Sequence, residues 1–151
     1  MDFGIKGKVA VITGGDSGMG KATAKLLAAE GVKIALIDKT KDDLNTTAKE
    51  IGKIGEVIQT TADLTNLEQV EAAKQQILEH YGTVHILVNC AGITGSTKKF
   101  LELTDEDWYE TINVDFMSNI CIISVVKTKK LIKYKIKTNT HTSNMGLVES
   151  C

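Results

Sequence analysis

The chain has 151 residues, 42% hydrophobic and 25% charged, and its 18 basic side chains nearly balance 19 acidic ones to leave a net charge of −1. That is the composition of one ordinary globular domain, residues 1–151, large enough to bury a core and without an overall pull toward nucleic acid or an anionic membrane. No apolar run reaches bilayer length and the N-terminus lacks a signal-type apolar segment, while the three cysteines, Cys90, Cys121 and Cys151, show neither metal-ligand spacing nor a disulfide framework. A cytoplasmic protein with thiols and no metal is the expectation.

Along the chain, Lys8 to Thr13 is a short apolar run that ends in glycines, and Lys21 to Glu30 repeats alanine and leucine at helical spacing up to Gly31. Strand, tight turn and helix follow one another. Lys33 to Asp38 is a second buried-type strand, after which Thr40 with Asp43 forms a capping pair for a polar helix that ends near Ile51 and Gly52. Glu56 to Ala62 reads as a third strand. A capping box from Thr65 to Glu68 opens the next helix, with Val70, Ala73 and Ile77 inward and Tyr81-Gly82 at its end; Val84 to Asn89 is the fourth strand. Past a loop after Gly92, Thr104 to Asp107 starts a helix whose apolar positions include Trp108, Ile112, Phe116 and Ile120.

Strands that alternate with helices of these lengths predict an α/β fold: a Rossmann-type doubly wound parallel sheet in three α/β/α layers, with ligands at the carboxyl ends of the strands. Residues 1–120 fit this rhythm well. Residues 121–151 are atypical, rich in lysine and threonine, with Lys127, Lys129, Lys130, Lys133, Lys135 and Lys137 close together and no acid between Asp115 and Glu149. A fifth buried strand falls due at Ile136 to Ser143, which is polar on both faces, so the fold is expected to be incomplete toward its C-terminal end.

The turn Thr13 to Gly20, TGGDSGMG, carries the chemistry. Gly14 can take turn dihedrals, Gly18 lets the main chain meet a pyrophosphate with no side chain between, and Gly20 permits close packing of helix and strand. The helix start beyond them offers unpaired N–H groups and a partial positive charge. Thr13, Gly14, Ser17, Gly18, Met19 and Gly20 are therefore candidate dinucleotide-binding residues. Asp38 ends the second strand, where an acid accepts hydrogen bonds from the adenosine ribose and repels a 2′-phosphate. NAD is expected over NADP, although the neighbouring Lys39 could partly neutralise that phosphate.

TGGDSGMG, the ADL of Ala62 to Leu64, the NCAG of Asn89 to Gly92 and the Asn113 of INVDF together resemble the short-chain dehydrogenase/reductase family, in order and spacing, from Lys8 to about Val148. The resemblance implies that Asp63 and Leu64 flank the adenine, that Asn89, Ala91 and Gly92 line the cofactor, and that Asn113 helps hold a water of the proton relay. Cys90 stands where the family usually has a second asparagine. Ser143, in SNMGL, resembles the family's serine that hydrogen-bonds the substrate oxygen, although a chance match in a Ser/Thr-rich stretch is an equal reading. Asn113 and Ser143 are thus the candidate catalytic residues.

The family's Tyr-x-x-x-Lys pair, in which the tyrosine is the acid/base and the lysine lowers its pKa, has no counterpart in the 151 residues. Tyr81, Tyr109 and Tyr134 do not fill that pattern, and His80, His85 and His141 read as surface or strand-end residues. Two functions stand open: the cofactor half of an oxidoreductase acting on a small alcohol or carbonyl substrate, present as a truncated chain, or a dinucleotide-binding module without catalysis. Either leaves a sheet edge bare, so a homo-oligomer or other covering partner is expected, with no nucleic acid and no membrane among the partners.

Overall fold

The computed structural model describes residues 2–126. Four parallel strands, β1 (Val9–Thr13), β2 (Lys33–Asp38), β3 (Val57–Thr61) and β4 (Ile86–Asn89), lie in the order β3-β2-β1-β4. Helices α1 (Gly18–Ala29) and α2 (Lys41–Ile51) cover one face, and α3 (Leu67–Tyr81) with α5 (Ser118–Val126) covers the other. Between the last two elements come α4 (Asp105–Ile112) and a π-helical segment, Asn113–Met117, continuous with α5. This is the doubly wound arrangement that the alternating rhythm predicts.

The strands form because their apolar residues have two faces to fill. Alternation along β1 sends Ala10 and Ile12 to the α1/α2 layer and Val11 to the α3/α5 layer, and β2 does the same with Ile34 and Leu36 against Ala35 and Ile37. All of these are fully buried, and each large aliphatic among them contributes roughly 1.5–3 kcal/mol by leaving water. Lys21 and Lys25 of α1 both reach Glu50 of α2, at 2.8 and 2.7 Å, and hold its carboxyl down to about 2.

Local signals are partly redistributed. Thr40 is the N-cap of α2 by position but its side chain makes no capping bond; the Asp38 carboxylate takes the N–H groups of Lys39 and Thr40 instead, at 2.7 and 3.4 Å. Nor is Thr65 the cap of α3. Its hydroxyl and N–H both donate to Asp63, and Asn66 caps the helix by accepting from Gln69 N–H at 3.2 Å. The box at Thr104 and Asp107 forms as the sequence predicts. Trp108, Ile112, Phe116 and Ile120, however, are 46%, 49%, 62% and 40% exposed, because the inward face of this helical stretch is Ser118, Cys121, Ile122, Val125 and Val126.

At the opposite end of the sheet from the strand carboxyl termini, the Tyr81 hydroxyl donates to the Ile34 carbonyl at 3.0 Å. Burial, followed by the nearby Glu56 charge, pushes the phenol up to about 12. A group whose pKa rises on folding from an ordinary value of about 10 stabilises the fold fully below that value, and the contribution is lost as pH rises through 12. Urea midpoints are therefore expected to fall between about pH 10 and 12 less steeply in Tyr81→Phe than in the parent; identical slopes would refute the assignment. At neutral pH the same variant loses about 1 kcal/mol with the hydrogen bond.

Candidate functional site

β1 leads through α1 and α2 outward to β2 and β3, whereas β4 lies on the other side of β1. The carboxyl ends of β1 and β4 thus mark a topological switch point, where an open parallel sheet leaves a crevice. A cleft of about 560 Å³ occupies that place.

Its first wall is the turn after β1. Gly14 has φ +63°, and a Cβ there would lie 2.7 Å from backbone atoms of Cys90 and Ala91, so this glycine serves both the turn and the approach of the β4 end. Gly20 is tighter: a Cβ would sit 2.0 Å from the Gly14 carbonyl oxygen. Gly18, with φ +49°, has nothing within 4 Å of where its Cβ would be. An open backbone surface at the start of α1 faces the cleft, and the Ser17 side chain does not cap the helix but donates to Asp16 at 2.9 Å. The N–H groups of the first turn therefore lack an intrahelical or capping partner, and no acidic side chain stands in that turn. The cradle fits a pyrophosphate in shape and polarity.

The second wall comes from the ends of β2 and β3. Burial, then the Asp16 charge, raises the Asp38 carboxyl above its usual range. Asp63 is shifted oppositely: the Thr65 hydroxyl and N–H hold its carboxyl down, helped by the Lys39 charge. The third wall joins Cys90 to Ile93 with the helical stretch. Thr13 Oγ1 accepts from the N–H groups of Cys90 and Ala91 at 3.2 and 3.3 Å, and Asp115 Oδ1 accepts from Ile93 N–H at 2.7 Å. These bonds tie the floor of the cleft to β1 and to the π-helical segment.

Of the residues predicted for the site, Gly14, Ser17, Gly18, Met19, Gly20, Asp38, Asp63, Leu64, Ala91, Gly92 and Asn113 all line the cleft. Thr13 does not: it is fully buried beneath the floor it fastens. Asn89 does not line it either, because strand alternation turns it toward the face that Leu87 shares with the Ile122 cluster. Cys90, which stands where the family usually has a second asparagine, is half-buried and lines the cleft. Ser143, the polar stretch Ile136 to Ser143, the lysine-rich run, Tyr134, His141 and Cys151 lie outside the described residues. Asp16, inside the glycine-rich turn, also lines the cleft, as do Glu110 and Ser118, although nothing in the local sequence of the last two marks them. Among the described residues no cluster of side chains could hold a metal ion, and no helix is long and apolar enough to cross a membrane.

A parallel sheet with its ligand crevice at the switch point and an open glycine turn at a helix start define a Rossmann-type fold. The family model "short chain dehydrogenase" matches residues 8–135, and the chain belongs to that family. It is 33% identical over 149 residues to an uncharacterized oxidoreductase of Staphylococcus haemolyticus, covering 97% of this chain and 61% of that one. To 3-hydroxyacyl-CoA dehydrogenase type-2 of Rattus norvegicus it is 38% identical over 127 residues, 81% of this chain and 48% of the relative. Among solved structures, L-sorbose reductase from Gluconobacter frateurii complexed with NADPH and L-sorbose superposes with a TM-score of 0.78 at 36% identity, over 83% of this chain and 48% of that one. An NAD+-bound xylitol dehydrogenase gives a TM-score of 0.78 at 25% identity, over 81% and 47%. The chain thus spans about half the length of most of these relatives.

Proposed function

We propose that this chain is the cofactor-binding half of an oxidoreductase that moves hydride between a nicotinamide dinucleotide and the carbon of a small alcohol or carbonyl substrate, with NAD preferred to NADP. The observation that carries the reading is the cleft itself, in which the open backbone at Gly18 and the uncapped start of α1 face the same space as Asp38, at the end of the neighbouring strand.

In this reading the α1 N-terminus holds the pyrophosphate, Asp38 accepts from the adenosine ribose hydroxyls, and Asp63 with Leu64 borders the adenine. Ala91 and Gly92 form the floor toward the nicotinamide, whose C4 supplies or accepts the hydride when the dinucleotide is bound. Asn113 orders a water beside the reacting centre, and Ser143 orients the substrate oxygen. Asn89 and Thr13 support the floor without touching the ligand. The edge strand β4 is covered by a second copy or another chain, and the setting is cytoplasmic, in keeping with cysteines that lack framework spacing.

The test is a fluorescence titration of the purified chain with NADH and NADPH beside Asp38→Ala. Saturable NADH binding is expected, weakened about tenfold or more in the variant while NADPH is not weakened, since hydrogen bonds to a charged acceptor are worth about 1.5–3 kcal/mol and the charge that repels a 2′-phosphate is gone. A folded chain that binds neither nucleotide would overturn the proposal.

A further inference from the structure

The geometry points to Asp16, in the glycine-rich turn, as a second determinant of dinucleotide choice: with Asp38 it forms a two-carboxylate wall against a 2′-phosphate. This rests on the dinucleotide reading above and extends it to a residue 22 positions away from Asp38 in the chain.

Asp16 is held firmly. Its carbonyl accepts from the hydroxyl of Thr47, a 1%-exposed residue of α2, at 2.7 Å, and its carboxylate accepts from Ser17 Oγ at 2.9 Å. Asp38 is fixed as firmly by the two backbone N–H groups at the start of α2. The two side chains lie within hydrogen-bonding reach of each other, and both line the cleft. That Asp38 titrates above its ordinary range, through burial first and the Asp16 charge next, agrees with two carboxyls sharing one partly desolvated place.

A ribose 2′-hydroxyl suits such a place because it can donate to a carboxylate. A 2′-phosphate carries close to two negative charges and only accepts, so it meets two like charges where a single strand-end acid would present one. One cation, Lys39, lines the same cleft. Lys39 adjoins Asp38 in sequence and its charge also acts on Asp63, so a single cation there faces three carboxylates, Asp16, Asp38 and Asp63.

Asp16→Asn removes the charge and keeps an oxygen to accept from Ser17, so the turn should stay as it is. The affinities of the purified 151-residue chain for NADH and NADPH, measured by fluorescence titration, are expected to show the preference for NADH falling about tenfold in Asp16→Asn, with NADH affinity itself changed less than threefold. Asp16→Glu, which retains the charge, is expected to retain the preference, and Lys39→Ala to move the ratio less than twofold. Saturable NADH binding with an unchanged ratio in Asp16→Asn would overturn the inference while leaving the cofactor reading intact. A selective loss of NADPH affinity in Lys39→Ala would also overturn it, by showing that Lys39 holds the phosphate. Binding of neither nucleotide to the folded parent chain would overturn both readings together.

Discussion

Gly20→Ala is expected to cost about 3 kcal/mol or more of stability, because its Cβ would lie 2.0 Å from the Gly14 carbonyl oxygen and 2.7 Å from the Gly14 carbonyl carbon. Both neighbours are backbone in a turn pinned to β4, so neither can rotate aside, and the start of α1 has to move. Gly18→Ala makes the instructive contrast. Its new methyl meets nothing within 4 Å, and the φ of +49° adds only about 1–2 kcal/mol of strain. Yet that methyl stands on the surface that faces the cleft, so NADH affinity is expected to fall at least tenfold in both variants while urea unfolding separates them. Wild-type stability in Gly20→Ala would show that the turn is not packed as described.

Thr13→Val is expected to cost about 2–4 kcal/mol despite its nearly unchanged shape. Two N–H groups, those of Cys90 and Ala91, lose their common acceptor beneath the floor of the cleft, and an unpaired buried donor costs about 1–3 kcal/mol. Thr13→Ser keeps the oxygen and removes one methyl group, for roughly 1 kcal/mol. Chemical denaturation distinguishes the two, and amide exchange at Cys90 and Ala91 is expected to accelerate in the valine variant alone. Equal stabilities for the two variants would contradict the role given to the hydroxyl.

What the sequence makes legible here is what short-range chemistry decides. Lys33 to Asp38 is a strand with those bounds because its apolar run is continuous and buried on both faces, and Gly14, Gly18 and Gly20 state their spacing outright. Caps are less legible, because competing groups lie one residue apart: Thr65 and Asn66 can each cap a helix, and the outcome turns on Thr65 bonding Asp63. The exposure of Trp108, Ile112, Phe116 and Ile120 is not legible for another reason. The helical stretch is apolar on more than one side, and periodicity cannot say which side the sheet occupies. Asp16 beside Asp38, and Asp115 beside Ile93, depend on folding distances of 22 residues each, beyond the reach of any local pattern.

The π-helical segment acts as a phase shifter. In a regular α-helix Asn113 and Ser118 would point about 140° apart, since each residue turns the chain about 100°. Here the Ser118 N–H donates to the Asn113 carbonyl, a five-residue step, and both residues line the cleft. One residue beyond the α-helical count thus lets Asn113 face the ligand space while Ile122 and Val125 still enter the core. Deleting a single residue between Asn113 and Met117 would leave Asn113 and Ser118 four steps apart, about 40° around a regular α-helix, so the shortened stretch can become uniform with both still on one side. Single-residue gaps in this stretch should therefore be better tolerated than gaps in the regular turns of α4 or α5.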